Sequence, residues 1–212
     1  MNKIPEELPG YGLRHQLGPV SSRQRVVREF IRTAYRYISI FGSVFVLSQI
    51  SYTQNLAVVD SIDLRRYAGT WYEIARLPNR FQGKCLGNVT ATYTLLEDGD
   101  IMVVNRCLGE NGEYTEAEGL ARRANSEGSN AKLKVRFAPS FLSFLPFVWG
   151  DYWVIDLAPD YSYAVVGEPN REYLWILSRT PTMDENILSE VLRRVSAQGY
   201  DLSRLMRTKQ TN

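Results

Sequence analysis

The run Asn88-Val89-Thr90-Ala91-Thr92-Tyr93-Thr94-Leu95 alternates with β-branched and aromatic residues, Asp98-Gly99 follows, and Ile101–Cys107 (IMVVNRC) comes straight after. Two apolar-alternating runs joined by an Asp-Gly pair specify a β-hairpin, because Gly supplies the positive φ that a tight turn needs. The same grammar extends outward. Upstream lie a strand at Thr70–Leu77 and a loop at Pro78–Gly87. Downstream, Gly109 and Gly112 frame a turn, and Tyr114–Arg122 pairs with Ala131–Phe137 across the polar loop Ala124–Asn130. Three more strands, Gly150–Asp156, Ser162–Gly167 and Glu172–Arg179, are separated by Pro159-Asp160 and Pro169-Asn170. Eight strands joined by hairpins make an all-β fold, either an up-and-down barrel or a sandwich.

One helix follows. Thr182 and Glu185 read as a capping box, Ile187, Leu188, Val191, Leu192 and Val195 form an apolar stripe, and Gly199 stops it. Glu190, Arg193 and Arg194 mark a polar outer face, so the stripe belongs against the sheet. Before the first strand, Asp63 caps a short helical turn carrying Leu64 and Tyr67.

Three short motifs stand in order along this frame. Gly69-Thr70-Trp71-Tyr72-Glu73-Ile74-Ala75-Arg76 resembles the Gly-X-Trp signature of the lipocalins; Asp160-Tyr161-Ser162-Tyr163-Ala164-Val165 resembles their second, and Leu177-Ser178-Arg179-Thr180-Pro181 their third. The resemblance covers roughly residues 60–205, and its longer phrases are similar to the bacterial, apolipoprotein D-like lipocalins. It implies an eight-stranded antiparallel calyx with one C-terminal helix on its wall. Within it Gly69, Trp71 and Arg179 are fold residues, the guanidinium lying across the indole as a cation–π pair at the closed end.

An eight-stranded barrel is just wide enough to hold one small ligand. With Trp71 inward, alternation puts Glu73 and Ala75 on the lining and Arg76 on the opposite face. The resemblance sets the other registers: Ala91 and Tyr93, Val103 and Asn105, Leu133 and Val135, Tyr152 and Val154, Tyr173 and Trp175. This wall is apolar with a few polar groups, as ligand pockets usually are. Glu73, Asn105 and the tyrosine hydroxyls are the groups able to orient a headgroup. The chargeless loop Phe137–Trp149, with phenylalanines at 137, 141, 144 and 147, would rim the mouth. It either docks on a membrane or partner, or folds inward so that Phe141 and Phe144 meet the ligand. Both readings imply a greasy ligand such as a fatty acid or lysophospholipid.

Cys85 and Cys107 flank neighbouring strands. The hairpin register sets Cys107 opposite Val89, so Cys85 has about four residues to make up. An exported domain would join them in a disulfide; otherwise they are two thiols. Asn88-Val89-Thr90 is a formal glycosylation sequon inside a strand, where it has no expected use.

Residues 1–57 form an appendage to the domain at 58–212. They hold seven Lys and Arg against three Asp and Glu, while the rest of the chain is slightly acidic. Residues 1–20 are Pro- and Gly-rich; Arg25, Arg28, Arg32 and Arg36 then lead into Tyr37–Ile50, an apolar stretch too short to span a bilayer comfortably. It reads as an export signal, as an uncleaved anchor, or as a basic helix packed on the domain or lying on a membrane; a later translation start would also fit. No cysteine precedes Cys85, so an exported or membrane-anchored envelope protein without Cys-lipidation is expected. The sole histidine, His15, lies in this appendage, which deprives the domain of Ser-His-Asp, Cys-His and His-based zinc chemistry. The domain is expected to bind rather than catalyse, as a monomer or homodimer without cofactor, metal or nucleic acid. An enzyme on the same fold, or a docking module built on the apolar loop, are the rival readings.

Overall fold

The computed structural model describes residues 55–125 and 128–211, so the expectations for the basic and apolar segment at residues 1–54 lie outside the described residues. Eight strands follow the chain round a barrel: β1 (Gly69–Arg76), β2 (Cys85–Leu95), β3 (Ile101–Gly109), β4 (Tyr114–Arg123), β5 (Lys132–Arg136), β6 (Gly150–Leu157), β7 (Tyr163–Gly167) and β8 (Leu174–Ser178). Each pairs antiparallel with the next, and β1 pairs with both β2 and β8, which closes the ring. The sandwich alternative is thereby removed.

The closure has a feature that alternation alone does not reveal. Only Gly69–Tyr72 of β1 pair with β2. Above them a ninth strand, β9 (Met206–Arg207), pairs with Ala75 and Arg76. The chain beyond it fills the seam. Thr208 N donates to Ile74 O (2.9 Å), Asn88 N donates to Lys209 O (2.8 Å), and Gln210 Nε2 bridges Glu73 O (2.8 Å) and Val89 O (2.9 Å). Gly87 permits that approach, since a Cβ there would stand 2.5 Å from the Lys209 carbonyl oxygen. The sequon asparagine also helps to hold the tail in place, because Asn88 Oδ1 accepts from Thr211 N at 2.6 Å.

Burial divides into two cores. One lies inside the barrel, from Ile62, Tyr67 and Trp71 at its base to Val103, Leu133 and Val166 on its walls. The other lies between the barrel and helix α2 (Glu185–Ala197), whose Leu188, Val191 and Val195 are fully buried against Ile155, Val165, Leu174 and Ile176. Fully burying such side chains is worth roughly 1.5–3 kcal/mol each, which is what holds the helix on the wall. Its cap differs from the expected box. Asp184, not Thr182, accepts from Asn186 N and Ile187 N, while Glu185 pairs with Arg207. Asp184 is adjacent to the helix, so its carboxylate reaches the free amides directly. Arg194 also departs from the outer face, reaching back to Asp156 (2.8 Å) and the Tyr163 hydroxyl (2.8 Å). Asp63 caps α1 (Leu64–Tyr67) as expected.

Cys85 and Cys107 form a disulfide, with Cα atoms 5.6 Å apart. Two register shifts in the β2–β3 ladder do this, so that Cys85 comes level with Gly109. The sequence separation of 22 between them restrains the unfolded chain by about 3 kcal/mol in the chain-entropy model.

Candidate ligand-binding calyx

Strand order places one end of the barrel under Trp71 and opens the other between the loops that follow β1, β3, β5 and β7. Ladder partners share a face, so the inner surface follows from the pairing. Tyr93 opposes Val103, Ala91 opposes Asn105, and Leu133 opposes Tyr152. On β4 the inward positions are Ala121, Gly119 and Ala117, opposite Ile101, Val103 and Asn105. These small residues carry no signal in the sequence, where large apolar side chains are what mark a wall.

Accessibility along these inner positions changes with height. Near the base Ile101, Val103, Ala121, Leu133 and Val154 are all at or below 4% exposure. Near the mouth, the inward-facing Asn105 and Val135 are half-buried and Ala117 and Gly150 are exposed, while Gly119, level with Val103, is half-buried where the two zones meet. The lower half is therefore packed core and the upper half is an open cup. Val103, Leu133 and Val154, expected on the lining, belong to the packed half. Phe137 continues the inward alternation of Leu133 and Val135, and its ring lies over Gly119, where an added Cβ would stand 2.7 Å from it.

The floor carries charge and hydroxyls in an ordered stack. Trp71 is fully buried and donates Nε1–H to Tyr67 O at 2.8 Å. Arg179 lies 3.8 Å over the indole and donates to the carbonyls of Arg66, Tyr67, Ala68 and Thr70. Gly69, at φ +94°, turns the chain into β1 beside that guanidinium. Above the indole, Tyr152 Oη lies 2.8 Å from both Tyr67 Oη and Tyr93 Oη. Burial pushes all three phenols up, Tyr93 to about 12 and the other two well above the ordinary tyrosine value. They stay neutral and act as hydrogen-bond groups.

Higher on β1 the expected alternation breaks. Glu73 pairs with Leu177, but the next partners are Ala75 with Ile176 and Arg76 with Trp175, so a bulge at Ile74 inverts the faces beyond it. Ala75, expected on the lining, packs instead in the core beneath α2. Arg76, expected outside, turns in. Its Nη1 donates to Glu73 Oε1 at 2.8 Å, and both side chains are buried. Glu73 Oε2 accepts from Gln82 Nε2 (2.6 Å), and Gln82 Oε1 accepts from Trp175 Nε1 (2.8 Å). Thr208 from the seam also donates to Glu73. Neither Gln82 nor Thr208 stands out in the sequence, since each arrives from a segment remote from β1. Tyr173 stacks beside Trp175, with ring centroids 5.9 Å apart, and meets Phe81 from the β1–β2 loop at 5.6 Å.

The β5–β6 loop does not fold inward. Trp149 anchors it on the outer wall, with Arg122 4.0 Å and Arg136 5.2 Å from its ring, and donates Nε1–H to Ser143 O at 2.8 Å. Two 3₁₀ turns, Ser140–Leu142 and Pro146–Val148, then present Phe141, Phe144 and Phe147 at 72–80% exposure. Phe141 and Phe144 thus stand on the rim. Phe81 at 65% and Leu86 at 59% extend the apolar rim round the same end. A separate groove of about 520 Å³ lies on the outer wall, where Thr70, Tyr72, Thr90 and Thr92 face away from the calyx.

A model of the lipocalin-like domain matches residues 62–210. The chain is 44% identical over 160 residues to temperature-induced lipocalin-1 of Arabidopsis thaliana, covering 75% of this chain and 85% of that protein. It is 40% identical over 158 residues to the outer membrane lipoprotein Blc of Escherichia coli K12, covering 74% and 84%. Among solved structures, insecticyanin of the tobacco hornworm Manduca sexta shares the fold with a TM-score of 0.57 at 21% identity, covering 76% of this chain and 87% of that one. A barrel closed on a Gly-X-Trp strand, floored by Trp71 and Arg179, and the match over nearly the whole described domain lead to one conclusion: the chain belongs to the lipocalin family.

Proposed function

We propose that this protein binds a single-chain lipid, a fatty acid or lysophospholipid, in the open upper half of its calyx, and carries or stores it at a bacterial cell envelope for membrane maintenance. The observation that supports this most is the contrast within one barrel. Inner residues near the mouth are accessible, whereas those near the floor are packed, and exposed phenylalanines surround that mouth. Ala91, Tyr93, Asn105, Val135, Tyr152, Tyr173 and Trp175 would meet the chain, with Glu73 and Arg76 near its polar end. The similarity to an outer membrane lipoprotein supports the envelope assignment. Here both described cysteines are joined to each other, so attachment would fall to the N-terminal segment and the rim. Rings of exposed aromatic residues suit the membrane interface, where an apolar body meets a wet boundary.

Native mass spectrometry of the purified protein should show a co-purifying lipid, and a fluorescent fatty acid should be displaced by lysophospholipid. Absence of any uptake would overturn the carrier reading. The triple variant F141S/F144S/F147S should lose flotation with anionic vesicles while keeping fatty-acid uptake. Unchanged flotation would remove the rim from membrane docking. Flotation by a protein that takes up no lipid would favour the docking-module reading instead.

A further inference from the structure

The tyrosines at the calyx floor do not balance. Tyr67, Tyr93 and Tyr152 carry three phenolic protons, but only two oxygen–oxygen contacts join them, both through Tyr152. Each contact consumes one proton. However the donors are arranged, one O–H of the cluster finds no acceptor among the described protein groups. A buried donor left unpaired is costly, because it has given up water without a replacement. The arrangement with the fewest constraints has Tyr67 and Tyr93 both donating to Tyr152, whose own proton then points elsewhere. Tyr152 is also the most accessible of the three, at 9% against 1% and 5%, and it stands at the height where packed core gives way to open cup. Directly above it on β6, Gly150 is exposed and adds no side chain to the path.

We propose that this floor is a hydrogen-bond donor site for one uncharged oxygen on the buried end of the lipid: a ketone, ester or similar carbonyl on an otherwise apolar chain. This rests on the carrier reading above and narrows its ligand class. A plain hydrocarbon end would leave the donor unpaired. A carboxylate would bring a full charge into a floor that already disfavours ionisation of its own phenols. The guanidinium packed on that floor, Arg179, stands behind the Trp71 indole with four backbone carbonyls to serve. A neutral acceptor satisfies the donor without the cost of burying a charge.

The proton count makes an unusual prediction for variants. A chain of hydroxyls always carries one more proton than it has contacts, so Tyr93→Phe leaves one contact and still one spare donor. Only Y67F/Y93F/Y152F removes the donor altogether, and replacing a whole polar cluster by isosteric apolar groups is close to neutral for folding. The test compares palmitic acid with a positional series of oxo-palmitic acids, by displacement of a fluorescent fatty acid. In the wild-type protein one position of the oxo group should tighten binding by about threefold to tenfold, the net worth of one hydrogen bond. Tyr93→Phe should keep that preference and the triple variant should lose it. The infrared stretch of a ¹³C-labelled oxo group should fall on binding to the wild type and not on binding to the triple variant. If palmitic acid binds and no oxo position improves on it, the donor site is overturned while the carrier reading stands. A preference that survives in the triple variant also overturns it. If neither acid binds, the carrier reading fails and takes this one with it.

Discussion

The two halves of this barrel are built from the same strands with the same alternation, yet they do opposite things. At the level of Tyr152 and below it, the inward positions are filled by Trp71, Val103, Leu133, Val154 and Val166, and almost no surface remains. Above it, β4 contributes Ala117, β6 contributes Gly150, and the wall stands open. The difference is one of side-chain volume and not of fold: interiors pack at crystal-like density wherever the volumes allow it. Polar groups follow the same division. At the floor every donor but one is matched within a rigid stack, whereas near the mouth Glu73, Arg76, Gln82 and Thr208 form a network drawn from separate segments. Stability should therefore reside below and recognition above, with the Tyr152 hydroxyl at the boundary where the two meet.

The largest effect should come from attacking the floor. Trp71→Ala removes a fully buried indole and leaves Arg179 stacked over a void, so a loss of about 3–5 kcal/mol is expected in urea unfolding. A loss under about 1 kcal/mol would mean that the lower half is not the stabilising core, because ordinary surface substitutions already reach half that.

Next in size is an effect of pH. An unfolded tyrosine ionises near 10, whereas burial holds the Tyr93 phenol neutral up to about 12. A folded-state pKa raised above the unfolded value means that the folded form keeps its proton longer. The stability from this group is therefore complete below pH 10 and is lost between pH 10 and about 12. The linked loss is of the order of 2–3 kcal/mol for Tyr93 alone, from two units at about 1.4 kcal/mol each. Urea midpoints measured from pH 9 upward should fall more steeply for the wild type than for Tyr93→Phe. Parallel profiles would show that Tyr93 ionises as freely in the folded protein as in the unfolded one.

How much of this is legible in the sequence differs between the halves. The floor is readable through the resemblance, because its markers keep fixed places along the chain: Gly69 opens a strand, Trp71 stands two residues into it, and Arg179 follows the end of another. The inner faces of β2, β3, β5, β6 and β8 follow from alternation once the resemblance sets their registers. The upper part of β1 does not, since a bulge adds one residue without altering composition, and Ala75 and Arg76 exchange sides. β9 has two residues and no hydrophobic pattern, so the tail that fills the seam leaves its trace only in Gly87 and Asn88. The asparagine resembles a sequon instead. The loop at the mouth is readable in composition but not in direction. Its anchor is the placement of Trp149 beside Arg122 and Arg136, and those contacts exist only once β4 and β5 are paired.

The smallest expected change in stability lies at that mouth, and its smallness is what distinguishes the two halves. Phe141, Phe144 and Phe147 are at 72–80% exposure in the free protein, so little apolar area leaves water there on folding. Surface substitutions of this kind usually fall within about 0.5 kcal/mol. Each single serine variant should therefore unfold at a urea midpoint close to the wild-type value, and the changes should add, because no shared buried contact couples the rings. Against that background the same three residues carry the apolar surface offered to a bilayer. A loss of vesicle affinity without loss of stability separates a surface kept for contact from a core kept for folding. A stability loss approaching that of Trp71→Ala would instead make the loop part of the core, and the division between the two halves would then fall beyond the mouth.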